Sequence, residues 1–163
     1  MAPCPAPQTK LKFQDGETIE AVADLGGGVC RFRNLRTRKS FDRIIGAFLP
    51  TDPNFERARG LVPLQVGKKV SYELTGGDDK GIQTNWVNTL AVEKYEQTQT
   101  PAGTFNAFVI LYRQQLFGGG GAWERRFWYA PEVGYPVSSK YTMLQGTPPR
   151  RVPTNWYVVE ITK

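Results

Sequence analysis

Short runs of β-branched and aromatic residues, each cut off by glycine, proline, aspartate or asparagine, recur along almost the whole chain, while a 3.6-residue apolar period is nearly absent. A chain so punctuated has too few uninterrupted residues for long helices and must bury its apolar side chains on pleated surfaces. The segments TIEAVA, VCRFRN, KSFDRIIGAFL, KKVSYELTG, TNWVNTLAVEKYEQ, FNAFVILYRQQ, WERRFWYA, PVSSKYTML and WYVVEIT read as strands. The expected fold is mainly β: a single antiparallel domain of about eight or nine strands, forming a curved sheet, half-barrel or sandwich. DPNFERARG is the one helical candidate, with Asp52 as cap, Pro53 at the first helical position and Gly60 as stop. At 163 residues the chain fits one domain spanning 1–163, which can remove roughly 70% of its unfolded-state surface from water.

Two turns carry their own mechanism. In QTPAGTFNAFVI, Pro101 presets φ and Gly103 can take a left-handed conformation, predicting a hairpin whose second strand leaves with a bulge. The glycines of FGGGGAW predict a looser, mobile connection. Alternation then assigns faces. Phe105, Ala107, Val109 and Leu111 oppose Asn106, Phe108, Ile110 and Tyr112, so an apolar strand covered on both sides is expected there. In AWERRFWYAPEVG, Trp123, Arg125, Phe127 and Tyr129 share one face, and Glu124, Arg126 and Trp128 share the other. Pro131 and Gly134 then end that strand in a turn.

The absence of histidine removes the commonest general base, the Ser-His-Asp arrangement and nearly all zinc sites. No catalytic residue, metal ligand set or cofactor site is expected. LQVGKKVS fails as a phosphate loop, because Val62 stands five before Gly67 and Lys69 occupies the Ser/Thr position. Ser138 and Lys140 lack the spacing of a helical Ser/Lys dyad. Carboxylates remain for a glycosidase, which needs two across a cleft, among Glu73, Asp78, Asp79, Glu93, Glu96, Glu124 and Glu132. Solvated turns and strand faces are the simpler reading of all of them. The other resource is aromatic: Trp86, Trp123, Trp128 and Trp156 lie on different strands, where they can pack a core or gather on one face to stack on rings.

The net charge of +6 is spread evenly, ten basic against seven acidic residues up to residue 60 and eleven against eight beyond it. One cluster, Arg31, Arg33, Arg36, Arg38, Lys39 and Arg43, is opposed in sequence only by Asp42, and Arg31 and Arg33 form its candidate anion-facing pair. No nucleic-acid module accompanies it, so no specific nucleic-acid partner is expected. No apolar run reaches the ~20 residues of a membrane-spanning helix, so no transmembrane segment is expected. Met1 is followed by APCPAP without a basic or apolar leader, which fits a cytosolic chain or one whose signal peptide has been removed. Cys4 and Cys30 allow a single disulfide; the alternatives are two buried thiols or acylation of Cys4.

Three motifs in order, PLQVGKKVSYELTG, TPAGTFNAFVI and FWYAPEVGYPV, resemble those of the TapB-like, domain-of-unknown-function family of bacterial envelope β proteins, over residues 61–140. Val70, where that family often has an aromatic, and Pro136 depart from its pattern. The resemblance implies a small antiparallel β domain of the periplasm or cell surface and strengthens the expectation of a Cys4–Cys30 disulfide. It transfers no catalytic residues.

The expected function is a non-catalytic, periplasmic or secreted envelope domain that binds a partner protein, a cell-wall glycan or an amphiphile on one sheet face. Trp123, Arg125 and Tyr129, with Arg113 nearby, are the candidate binding residues. A half-barrel carrier of lipid-like ligands and a carboxylate-pair glycoside hydrolase are the alternatives.

Overall fold

The computed structural model describes residues 4–44, 49–50, 55–77, 80–146 and 155–163. Ten strands and one two-residue pairing form a single antiparallel sheet. In chain order they are β1 (Lys10–Phe13), β2 (Thr18–Gly26), β3 (Val29–Asn34), β4 (Ser40–Ile44), the pairing β5 (Leu49–Pro50), β6 (Lys69–Gly77), β7 (Gln83–Thr100), β8 (Gly103–Leu116), β9 (Ala122–Ala130), β10 (Tyr135–Gln145) and β11 (Trp156–Thr162). A single helical turn, α1 (Phe55–Ala58), runs on into a 3-10 turn at Arg59–Leu61. β1, too short and too rich in lysine to stand out by alternation, is the strand that sequence reading misses.

The spatial order is β5-β4-β3-β2-β1-β11-β10-β9-β8-β7-β6, so the sheet is open and does not close on itself. It is two meanders, β1–β5 and β6–β10, joined by β11. That strand pairs with β1 from Lys10↔Thr162 to Phe13↔Val158, and with β10 only at Ser138↔Tyr157 and Ser139↔Trp156. Pro136, which lacks an N–H, lies two residues before the first of the β10–β11 pairs, and the β9–β10 register shifts between it and Ser138.

The hairpin predicted around Pro101 is present, with Thr100 opposite Gly103 and the Thr100 hydroxyl accepting from the Ala102 N–H at 3.1 Å. Its bulge lies elsewhere, because the ladder shifts between Val92 and Lys94. Gly103 has φ +144°. The glycine connection is closed by hydrogen bonds from Leu116 N to Gly121 O and from Gly119 N to Leu116 O. The middle of KSFDRIIGAFL, the proposed helix start at Asp52 and Pro53, and the turn residues Asp78 and Asp79 lie outside the described residues.

Two cores sit on opposite faces of the central strands. The first gathers Leu11, Ile19, Cys30, Phe32, Phe105 and Val158 with Ala130, Val133, Tyr135 and Val137. The second gathers Ala58 and Leu61 below Tyr72, Leu90, Ile110, Phe127 and Tyr129. Along β9 the side chains alternate between them: Phe127 and Tyr129 belong to the second core, while Ala130 belongs to the first and Trp128 packs against it. β8 divides in the same way, with Phe105 in the first core and Ile110 in the second, which is the two-sided coverage its apolar alternation predicts.

Cys4 and Cys30 are disulfide-bonded, with Cα atoms 5.6 Å apart, so the segment before β1 is tied to β3. Both alternatives, buried thiols and an acylated Cys4, give way to that bond.

Candidate functional site: an aromatic groove at the seam

Where β10 and β11 part, a groove of about 400 Å³ opens. The register builds its floor. Trp128 on β9 stands opposite Ser138 on β10, and Ser138 stands opposite Tyr157 on β11, so the three side chains form one cross-strand row. Neighbouring strands lie about 4.8 Å apart, so the Trp128 and Tyr157 backbones stand about 9–10 Å apart on either side of Ser138. Trp156, Lys140 and Asn155 complete the wall.

Its shape is held by side chains that stand in for missing strand pairing. Gln14 Nε2 donates to the Asn155 carbonyl at 3.0 Å, and Gln14 Oε1 accepts from the Tyr157 N–H at 2.9 Å. Asn155 Oδ1 accepts from the Tyr141 N–H at 2.7 Å, beyond the last β10–β11 pair. The Trp128 indole N–H donates to Glu96 at 3.0 Å, which fixes the ring plane. Trp156 packs edge-on to Phe13 at 5.3 Å. Tyr157 is 42% exposed and offers its ring to solvent.

The residues singled out in the sequence fall in several places. Trp123 and Arg125 do share a face. Arg125 donates to the Ser139 hydroxyl at 2.7 Å and lies 5.7 Å from the centre of the Tyr141 ring, while Trp123 packs against Tyr112 and Tyr141. Burial holds the Arg125 guanidinium below its ordinary pKa. Tyr129 lies on that face too, but at 1% exposure it is a core residue, because the second core closes over this end of β9.

Arg113 is on the opposite face. The β8–β9 register sets it against Glu124, to which it donates at 2.9 Å, and Tyr112 rather than Arg113 neighbours Arg125. Glu124, 6% exposed, also accepts from Arg126, whose guanidinium holds Glu93 as well. Burial would push the Glu124 carboxyl up, but the hydrogen bonds and charges of Arg126 and Arg113 outweigh it and hold the pKa below the ordinary value.

Arg31 and Arg33 are exposed on β3, yet both are paired: Arg31 with Asp42 at 2.8 Å and Arg33 with Glu20 at 2.9 Å. Arg36 pairs with Glu17. Strand pairing brings in acidic residues that the sequence interval hides, so this cluster is much less cationic than its spacing suggests. Cys4 and Cys30 are structural. Among the described residues no group of His, Cys, Asp or Glu is arranged to hold a metal, and no helix is long and apolar enough to cross a membrane.

These features define a class, an open antiparallel β protein with a disulfide in its N-terminal half and an aromatic groove at the seam. No family model and no curated protein matches the chain, so the likeness to the TapB-like family stands on the three motifs alone. Among solved structures the chain is similar to the hypothetical lipoprotein YmcC of Escherichia coli K12, with 13% identity, 90% of each chain covered and a TM-score of 0.49.

The groove itself was not legible in the sequence. Trp128 and Trp156 were visible as aromatics on separate strands, and Pro136 as an odd residue inside one. Only the long-range pairing of β11 brings them together.

Proposed function

We propose that this is a non-catalytic β protein of the bacterial envelope that binds a cell-wall glycan in the seam groove. The observation that carries the reading is the row Trp128, Ser138, Tyr157: two aromatic side chains flanking a hydroxyl, with Asn155 and Lys140 at the rim. Sugar rings present apolar faces that stack on indole and phenol, and a rim of hydroxyls that amide and hydroxyl side chains satisfy. None of the described residues lining the groove is a carboxylate, so the pair that glycoside hydrolysis needs is not among them. The Cys4–Cys30 disulfide and the resemblance of the three motifs to exported proteins support an extracytoplasmic location.

Tryptophan emission during titration with neutral wall-type oligosaccharides, chitotetraose and methyl-esterified tetragalacturonate, tests this. A saturable change is expected with at least one of them. Tyr157→Ala, which removes an exposed ring, should weaken it several-fold. If neither sugar nor the free-acid tetragalacturonate changes emission or melting temperature, the glycan reading is wrong.

A further inference from the structure

Resting on that reading, we propose that the glycan is acidic and that Lys140 binds a sugar carboxylate. Lys140 follows Ser138 by two residues on the same strand, so it stands on the same face of the sheet about 7 Å from Ser138 on the groove floor. Its flexible four-carbon stem spans that distance. A ring stacked on the exposed Tyr157 would turn its edge towards the ammonium group. A uronic acid carries its carboxylate on that edge.

The charges around the groove single out Lys140. Its cross-strand partner is Arg126, a second cation, and that guanidinium is held by both Glu93 and Glu124. Glu124 is also held by Arg113. Glu96 is taken by Lys94 at 2.8 Å and by the Trp128 indole. Glu93, Glu96 and Glu124 are therefore engaged, and among the described residues no carboxylate is paired with Lys140. A basic group at the rim of an aromatic groove favours an anionic ring over a neutral one, and the described residues of the wall include no carboxylate to repel it.

Isothermal titration compares tetragalacturonate with its methyl ester, which keeps the ring and removes the charge. The free acid should bind about fivefold more tightly in low salt, and the gap should close in half-molar sodium chloride. Lys140→Gln should lower affinity for the acid to that for the ester and leave the ester unaffected, while Tyr157→Ala weakens both. Equal binding of acid and ester, both sensitive to Tyr157→Ala, would overturn the acidic assignment and leave the glycan reading standing. Tighter binding of the acid that survives Lys140→Gln but is lost on Arg31→Ala/Arg33→Ala would overturn the role of Lys140. Absence of binding by either compound would overturn both readings.

Discussion

The two meanders reach order by different routes. Strands β1–β4 are four, nine, six and five residues long, whereas β7 and β8 run for eighteen and fourteen and share a ladder along most of their length. Short strands bury few side chains each, and the N-terminal meander adds a covalent tie from Cys4 to Cys30 and three ion pairs whose arginines are 44% to 75% exposed. Exposed pairs of that kind are screened by solvent and contribute little. The C-terminal meander puts its charges where they count for more: Glu124 is buried between Arg113 and Arg126 on strands already fixed by their neighbours. Constraint of the unfolded chain thus does on one side what length and buried pairing do on the other.

The largest expected effect comes from removing the tie. A Cys4→Ser/Cys30→Ser variant should lose about 3–4 kcal/mol, the chain entropy of a loop of 26 residues. Hydrogen exchange should place the loss in β2 and β3, with β7 and β8 still protected. Equal loss of protection in all four strands would mean that the halves unfold as one unit and that the contrast is only structural.

Next is the buried carboxylate. Glu124→Gln should cost about 2 kcal/mol by urea unfolding, because Arg113 is exposed enough to recover water while Arg126 keeps Glu93. The acid response carries the same information. The folded Glu124 pKa lies below its ordinary 4.5, so the folded state favours the ionised form. Its contribution is complete above that value and is lost as the pH falls through the lower folded pKa. The variant should therefore show a shallower loss of stability below about pH 4.5 than the native protein. Parallel curves would remove Glu124 from the account of acid sensitivity.

A smaller change, of opposite sign, tests the same half. Asn88 is fully buried on β7, between Tyr72 and Gln114, and neither polar atom of its side chain has a hydrogen-bond partner among the described residues. Asn88→Leu should stabilise by about 1–2 kcal/mol, a rise of a few degrees in Tm by calorimetry. A fall would show that the amide is satisfied in solution and helps to fix the register of the long strands.

The strands themselves could be read because alternation and turn chemistry are local. VCRFRN and WYVVEIT coincide with β3 and β11 residue for residue, and both faces of β9 were assigned correctly. Reading failed where a second strand decides. Whether Tyr129 is exposed depends on what covers β9, and the side on which Arg113 lies relative to Arg125 depends on a register between strands. The arginine cluster looked opposed by Asp42 alone because Glu20 and Glu17 reach Arg33 and Arg36 across the β2–β3 hairpin rather than along the chain.

β11 follows every other described strand in chain order, yet it lies between β1 and β10 in the sheet. Until it is in place, both of those neighbours present bare edges, and the contact that unites the molecule must join Lys10 to Thr162. Such a closure spans nearly the whole chain and is entropically slow. Wrong pairing at the edges of β1 and β10 is therefore open to the chain in the interval before β11 docks.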